Sequence, residues 1–70
     1  MGVMLSRRQL EREMALRGWS AVDLARAAGV SGATITAARG GKRLAPKTVR
    51  LLARALASAP PVDGIDRLLD

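Results

Sequence analysis

The chain has 70 residues, with 12 Lys and Arg against 6 Asp and Glu, no Cys, no His, no Tyr, no Phe and one Trp. A chain this short buries only about 60% of its unfolded surface, which leaves one small domain over residues 1–70 and no depth for a substrate pocket. Without Cys there is no disulfide framework, zinc finger or thiol chemistry, and without His the commonest general base and metal ligand is missing. The expectation is a binding protein, not an enzyme, with no cofactor, no metal and no small-molecule substrate.

Of the apolar residues 13 are Ala and 21 are larger, a balance that favours thin, closely packed helices. No apolar run approaches the ~20 residues of a membrane span, and Met1 to Leu5 is too short for a signal-peptide core. No membrane partner is expected, and the location that follows is cytoplasmic. Met1 to Ser6 matches an N-myristoylation pattern, but Ser6 has a better use as a helix cap.

One six-residue pattern occurs three times: apolar, Ser, two variable residues, polar, apolar. It reads Leu5-Ser6-Arg7-Arg8-Gln9-Leu10, then Trp19-Ser20-Ala21-Val22-Asp23-Leu24, then Val30-Ser31-Gly32-Ala33-Thr34-Ile35. Each serine can accept from a first-turn N–H, the polar residue can reach back, and the apolar pair clamps the approach angle. Trp19 is thereby a core clamp and Asp23 a cap and dipole partner. A fourth helix starts at Pro46, with Leu44 and Val49 as its clamp. Gly18, Gly29, Gly40-Gly41 and Pro60-Pro61 supply the stops. A short fifth helix is expected from about Asp63 to Leu69. The reading is an all-α, compact four- to five-helix bundle with no strand.

In the first helix Leu10 and Met14 fall one turn apart, and in the fourth Val49, Leu52, Ala53 and Leu56 form an i, i+3, i+4, i+7 stripe that marks the core face. Leu51 and Ala55 then point away from the core. With Ile65, Leu68 and Leu69 they form a candidate homodimer surface, the last three alternatively closing the intramolecular core.

Charge is concentrated. Between Leu24 and Val62 there is no acidic residue, while Arg26, Arg39, Lys42, Arg43, Lys47, Arg50 and Arg54 carry seven positive charges. The rest of the chain sums to −1 from five basic and six acidic side chains. A polyanion would feel the middle of this chain.

That middle holds AVDLARAAGVSGATITAARG from Ala21 to Gly40: two short helices joined by Gly29-Val30-Ser31. A steep crossing through so tight a turn needs a small contact residue, here Ala25, a turn residue tolerating positive φ, here Gly29, and an apolar wedge, here Leu24, Ala28, Val30, Ile35 and Ala38. The segment resembles the helix-turn-helix of the phage-repressor-like family, also called Xre or Cro/C1-type regulators. The resemblance extends from Leu10 to Ser20, through residues 21–40, to the GGKRLAPKTVRLLARAL stretch ending at Leu56.

The resemblance implies a bacterial or phage DNA-binding transcriptional regulator, a repressor in the commonest case, acting as a homodimer on double-stranded DNA, with the third helix in the major groove. Ile35 and Ala38 face inward, which leaves Gly32, Ala33, Thr36 and Ala37 as base contacts. Family members often carry longer polar side chains there, so this chain is expected to show modest sequence preference, or to draw on DNA shape with Arg39 or Arg43 reaching in. Ser20, Ser31, Arg39, Lys42, Arg43 and Lys47 are the candidate phosphate contacts. Arg50 and Arg54 are weaker candidates, and Arg7, Arg8 and Arg12 weaker still, because Glu11 or Glu13 offsets them. The alternative is an antitoxin-like or other protein-interaction module that turns the same basic face to an acidic protein.

Overall fold

Three serines open three helices in the computed structural model, which describes residues 2–64 and Arg67. These are α1 (Arg7–Leu16), α2 (Ala21–Ala28) and α3 (Gly32–Arg39). Ser6, Ser20 and Ser31 accept from the backbone N–H of Gln9, Asp23 and Thr34 respectively. Only Asp23 also reaches back, its carboxylate accepting from the Ser20 N–H at 2.8 Å. Thr34 is too short for that bond and meets the Ser31 hydroxyl instead, at 3.0 Å. The fourth helix, α4 (Pro46–Ser58), starts on Pro46 without a side-chain cap, because proline at the first position has no N–H to satisfy and a preset φ.

The same device closes the first three helices. Gly18, Gly29 and Gly41 have φ of 67°, 71° and 73°, a region open to glycine at little cost. In each case the following residue returns its N–H to a carbonyl five positions back: Trp19 to Met14, Val30 to Ala25, Lys42 to Ala37. This bond pattern satisfies helix-end carbonyls that would otherwise be orphaned.

The expectation of no strand is corrected. Val3–Met4 (β1) pairs antiparallel with Arg43–Leu44 (β2), Val3 opposite Leu44 and Met4 opposite Arg43. Two residues per strand leave no alternation to read, and the pairing joins segments about forty positions apart. Its packing is close: a Cβ on Gly2 would stand 2.6 Å from the Arg43 Cβ.

The core gathers Leu10 and Met14 from α1, Leu24, Ala25 and Ala28 from α2, Ile35 and Ala38 from α3, Leu44 from β2, and Leu52 and Ala55 from α4. Leu24 and Ile35 are fully enclosed, each burial being worth about 1.5–3 kcal/mol. Trp19 and Val30 pack against this cluster half-buried, as the clamp and wedge readings require.

Helix α4 is rotated from the expected stripe. Ala55 is buried at 4% exposure, while Ala53 is exposed and Val49, Leu51 and Leu56 are half-buried. Apolar residues surround most of this helix, so two overlapping stripes fit its sequence equally, and packing of α4 against α2 selects the one containing Ala55. Val49, Ala53 and Leu56 instead line an open groove with Leu5 and Leu10 of the α1 side. The end of α4 has no glycine device. Arg17, whose side chain is 8% exposed, supplies the missing donors: its Nε donates to the carbonyls of Leu56 at 3.0 Å and Ala59 at 2.7 Å. Nη1 of the same side chain holds the Glu13 carboxylate at 2.9 Å.

The expected fifth helix falls largely on Ile65, Asp66, Leu68 and Leu69, which lie outside the described residues. At its near end Gly64 has φ of 80°, so no right-handed helix runs through that residue. Among the described residues, no helix is long and apolar enough to cross a membrane.

Candidate functional site

The turn Gly29-Val30-Ser31 fixes α3 against α2, and the buried Ile35 and Ala38 fix its rotation. What α3 shows to solvent follows from that rotation. Ser31, Gly32, Ala33, Thr36 and Arg39 are exposed. Ala37 is half-buried and packs against the core, which corrects its expected place on the outer edge: at ~100° per residue it falls between the outward Thr36 and the inward Ala38.

The exposed edge is chemically plain. The Thr36 hydroxyl donates to the Gly32 carbonyl at 3.1 Å, so outward it offers lone pairs and a methyl group but no proton. Gly32 has open space where a Cβ would stand.

Beyond α3 the chain turns through Gly40 and Gly41 into the basic segment. The Lys42 N–H bonds the Ala37 carbonyl at 3.0 Å, which folds this segment back onto the end of α3, and β1 holds Arg43 in register from the other side. Lys42, Arg43 and Lys47 are exposed, and among the described residues none is ion-paired with a carboxylate.

Arg39 is different. Its Nη2 lies 3.5 Å from the Glu11 Oε1, and Arg7 approaches the same oxygen with its Nε at 3.3 Å. Arg7, Thr36, Arg39 and Gly40 line one shallow hollow of about 250 Å³. In the sequence Glu11 stands one helical turn from Arg7 and offsets its charge. The i, i+4 spacing of that pair was visible, but the arrival of Arg39 from α3 depends on tertiary packing.

The helix starts are not equivalent as anion sites. Both donors of Ser20 are engaged by Asp23, the N–H at 2.8 Å and the hydroxyl at 3.0 Å, and Asp23 adds a negative charge at that terminus. Those bonds, the backbone one foremost, with Arg26 assisting, hold the Asp23 carboxyl below the usual carboxylate range. Both Ser20 donors are thus occupied in the free protein, beside a carboxylate. The starts of α3 and α4, at Ser31 and Lys47, carry no acidic residue in their first turn.

The candidate dimer surface also changes. Ala55 is buried, which takes it out of that surface; Leu51 is half-buried against the core and keeps part of its side chain exposed, while Ile65, Leu68 and Leu69 lie outside the described residues. No family model matches the chain, nor does any curated protein or solved structure.

Proposed function

We propose that this chain is a DNA-binding transcriptional regulator of the phage-repressor-like helix-turn-helix type, acting as a repressor in the cytoplasm of a bacterium or phage-infected cell. One observation carries the reading: an exposed α3 edge of small side chains runs into the basic segment of Lys42 and Arg43, folded back on the end of α3, with Lys47 at the start of α4, and none of the three has a carboxylate partner among the described residues. In this reading α3 enters the major groove, Gly32, Ala33 and Thr36 meet base edges and thymine methyls, and the cations grip the flanking phosphates. The protein binds as a homodimer on half-sites about one helical turn apart, because one module this small reads few base pairs.

About five neutralised phosphates per monomer give a slope of log K against log salt near −4 to −5. The test is selection of bound duplexes from a random pool, followed by that titration. A steep slope with weak consensus at most positions supports the reading. No shift of any duplex at low salt overturns it, and transfers the basic face to the second reading, an antitoxin-like module for an acidic protein, which the small α3 side chains also fit.

A further inference from the structure

Glu11 is the only acidic side chain that the described residues bring against α3, and it is shared. Its Oε1 stands 3.3 Å from Arg7 Nε and 3.5 Å from Arg39 Nη2. Both distances exceed the 2.7–2.9 Å of a strong N–H to carboxylate bond. All three side chains are substantially open to water, 69% for Arg7, 43% for Arg39 and 39% for Glu11, so these contacts are readily exchanged. Arg7, Arg39 and Thr36 line the same hollow, and Glu11, bonded to both arginines, stands outside its lining. Arg7 therefore shares a concavity with a residue of the exposed α3 edge, although it belongs to a different helix.

We propose that Arg7 and Arg39 together seat one backbone phosphodiester of a bound duplex beside Thr36, and that Glu11 is an internal substitute for that phosphate. In the free protein the Glu11 carboxylate bridges the two guanidiniums of arginines that line the hollow. Each guanidinium carries five N–H donors, and Glu11 engages one from each, which leaves donors for an incoming oxyanion. A phosphodiester arriving there exchanges with Glu11 and is repelled by its charge until it does. Glu11 thus orients the site and lowers its affinity at the same time. The inference rests on the DNA-binding reading and adds to it a phosphate contact from α1 and a built-in competitor.

The experiment measures binding of a labelled mixed-sequence DNA duplex from about 50 to 200 mM salt, with wild type, Arg7→Gln, Glu11→Gln and, as a charge control on the same helix, Arg8→Gln. Thermal melting of each variant verifies that it folds. Arg7→Gln is expected to weaken binding and make the salt slope shallower by about one. Glu11→Gln, which keeps the shape and removes the charge, is expected to tighten binding about two- to fivefold, the worth of an exposed ion pair. Arg8→Gln is expected to change the slope less than Arg7→Gln. If wild type binds steeply while Arg7→Gln equals wild type or Arg8→Gln, or if Glu11→Gln binds no tighter, this inference is overturned and the DNA-binding reading stands. If wild type binds no duplex at any salt, both fall.

Discussion

Arg17 donates to the Ala59 carbonyl at 2.7 Å, so a side chain from the end of α1 closes the far end of α4. Together with the Leu56 carbonyl and the Glu13 carboxylate, it forms a part-buried polar cluster, the Arg17 side chain itself being 8% exposed. It also gives α4, which lacks a basic residue in its last turn, a positive charge at its negative dipole end.

Replacing Arg17 with Met should keep much of the packing and lose every one of these bonds. One hydrogen bond to a charged group is worth about 1.5–3 kcal/mol, so the variant, which loses several, should be less stable by at least about that amount, measured by urea unfolding. Arg17→Lys should recover only part, because an ammonium cannot span two carbonyls and a carboxylate in one plane. A variant as stable as wild type would remove Arg17 from the list of structural supports.

Asp23 sets an acid limit. Its carboxyl is held below its usual range when folded, so the unfolded chain binds the proton more readily and the stabilisation is complete above the unfolded value of about 4. As pH falls from there the stabilisation declines, and it is gone once pH has passed below the folded value. Asp23→Asn should lose the same stabilisation at neutral pH and flatten the melting temperature against pH in that window. A profile identical to wild type would show that the box contributes nothing.

Two glycines should respond in opposite directions. Gly29→Ala forces φ of 71° on a residue with a Cβ, at a cost of about 1–2 kcal/mol. Gly32→Ala places a methyl in open space on a helical residue and should stabilise by about 0.4–1 kcal/mol. On the proposed reading, that same methyl should weaken duplex binding by crowding the groove face. Melting temperature and duplex affinity measured in parallel separate the two effects.

Lys42→Ala and Arg43→Ala should leave the fold intact, because both side chains are exposed. Each should make the salt slope of duplex binding shallower by about one and weaken all sequences alike if its contact is to phosphate. Selective loss on particular sequences at Arg43→Ala would instead mark a base contact.

The helix starts and stops were legible because caps act within four residues: Ser6, Ser20, Ser31 and Pro46 all stand where their local chemistry puts them. The wedge of Leu24, Ala28, Ile35 and Ala38 was legible for a similar reason, since spacing within each short helix decides which face is apolar. What escaped reading depends on partners distant in the chain. The β1 to β2 pairing joins Val3 to Leu44, Arg17 reaches 42 positions to Ala59, and Arg39 meets Glu11 across 28. Ala53 and Ala55 exchanged roles because α4 has apolar residues on both candidate faces and only the neighbouring helix distinguishes them. Among the candidate site residues, Ser20 has its donors engaged by the same cap that made it recognisable.

The bond from the Val30 N–H to the Ala25 carbonyl makes the turn between α2 and α3 a phase reference. With three residues and a closed ring there is no slack to absorb an insertion, so a single extra residue after Ser31 would spin the following helix by about 100°. Ile35 would swing out to the exposed place of Thr36, and polar Thr34 would take the buried place of Ile35. Length variation in this chain should therefore concentrate at its outer connections and be purged from residues 29–31, whatever happens to the identity of the side chains on either side.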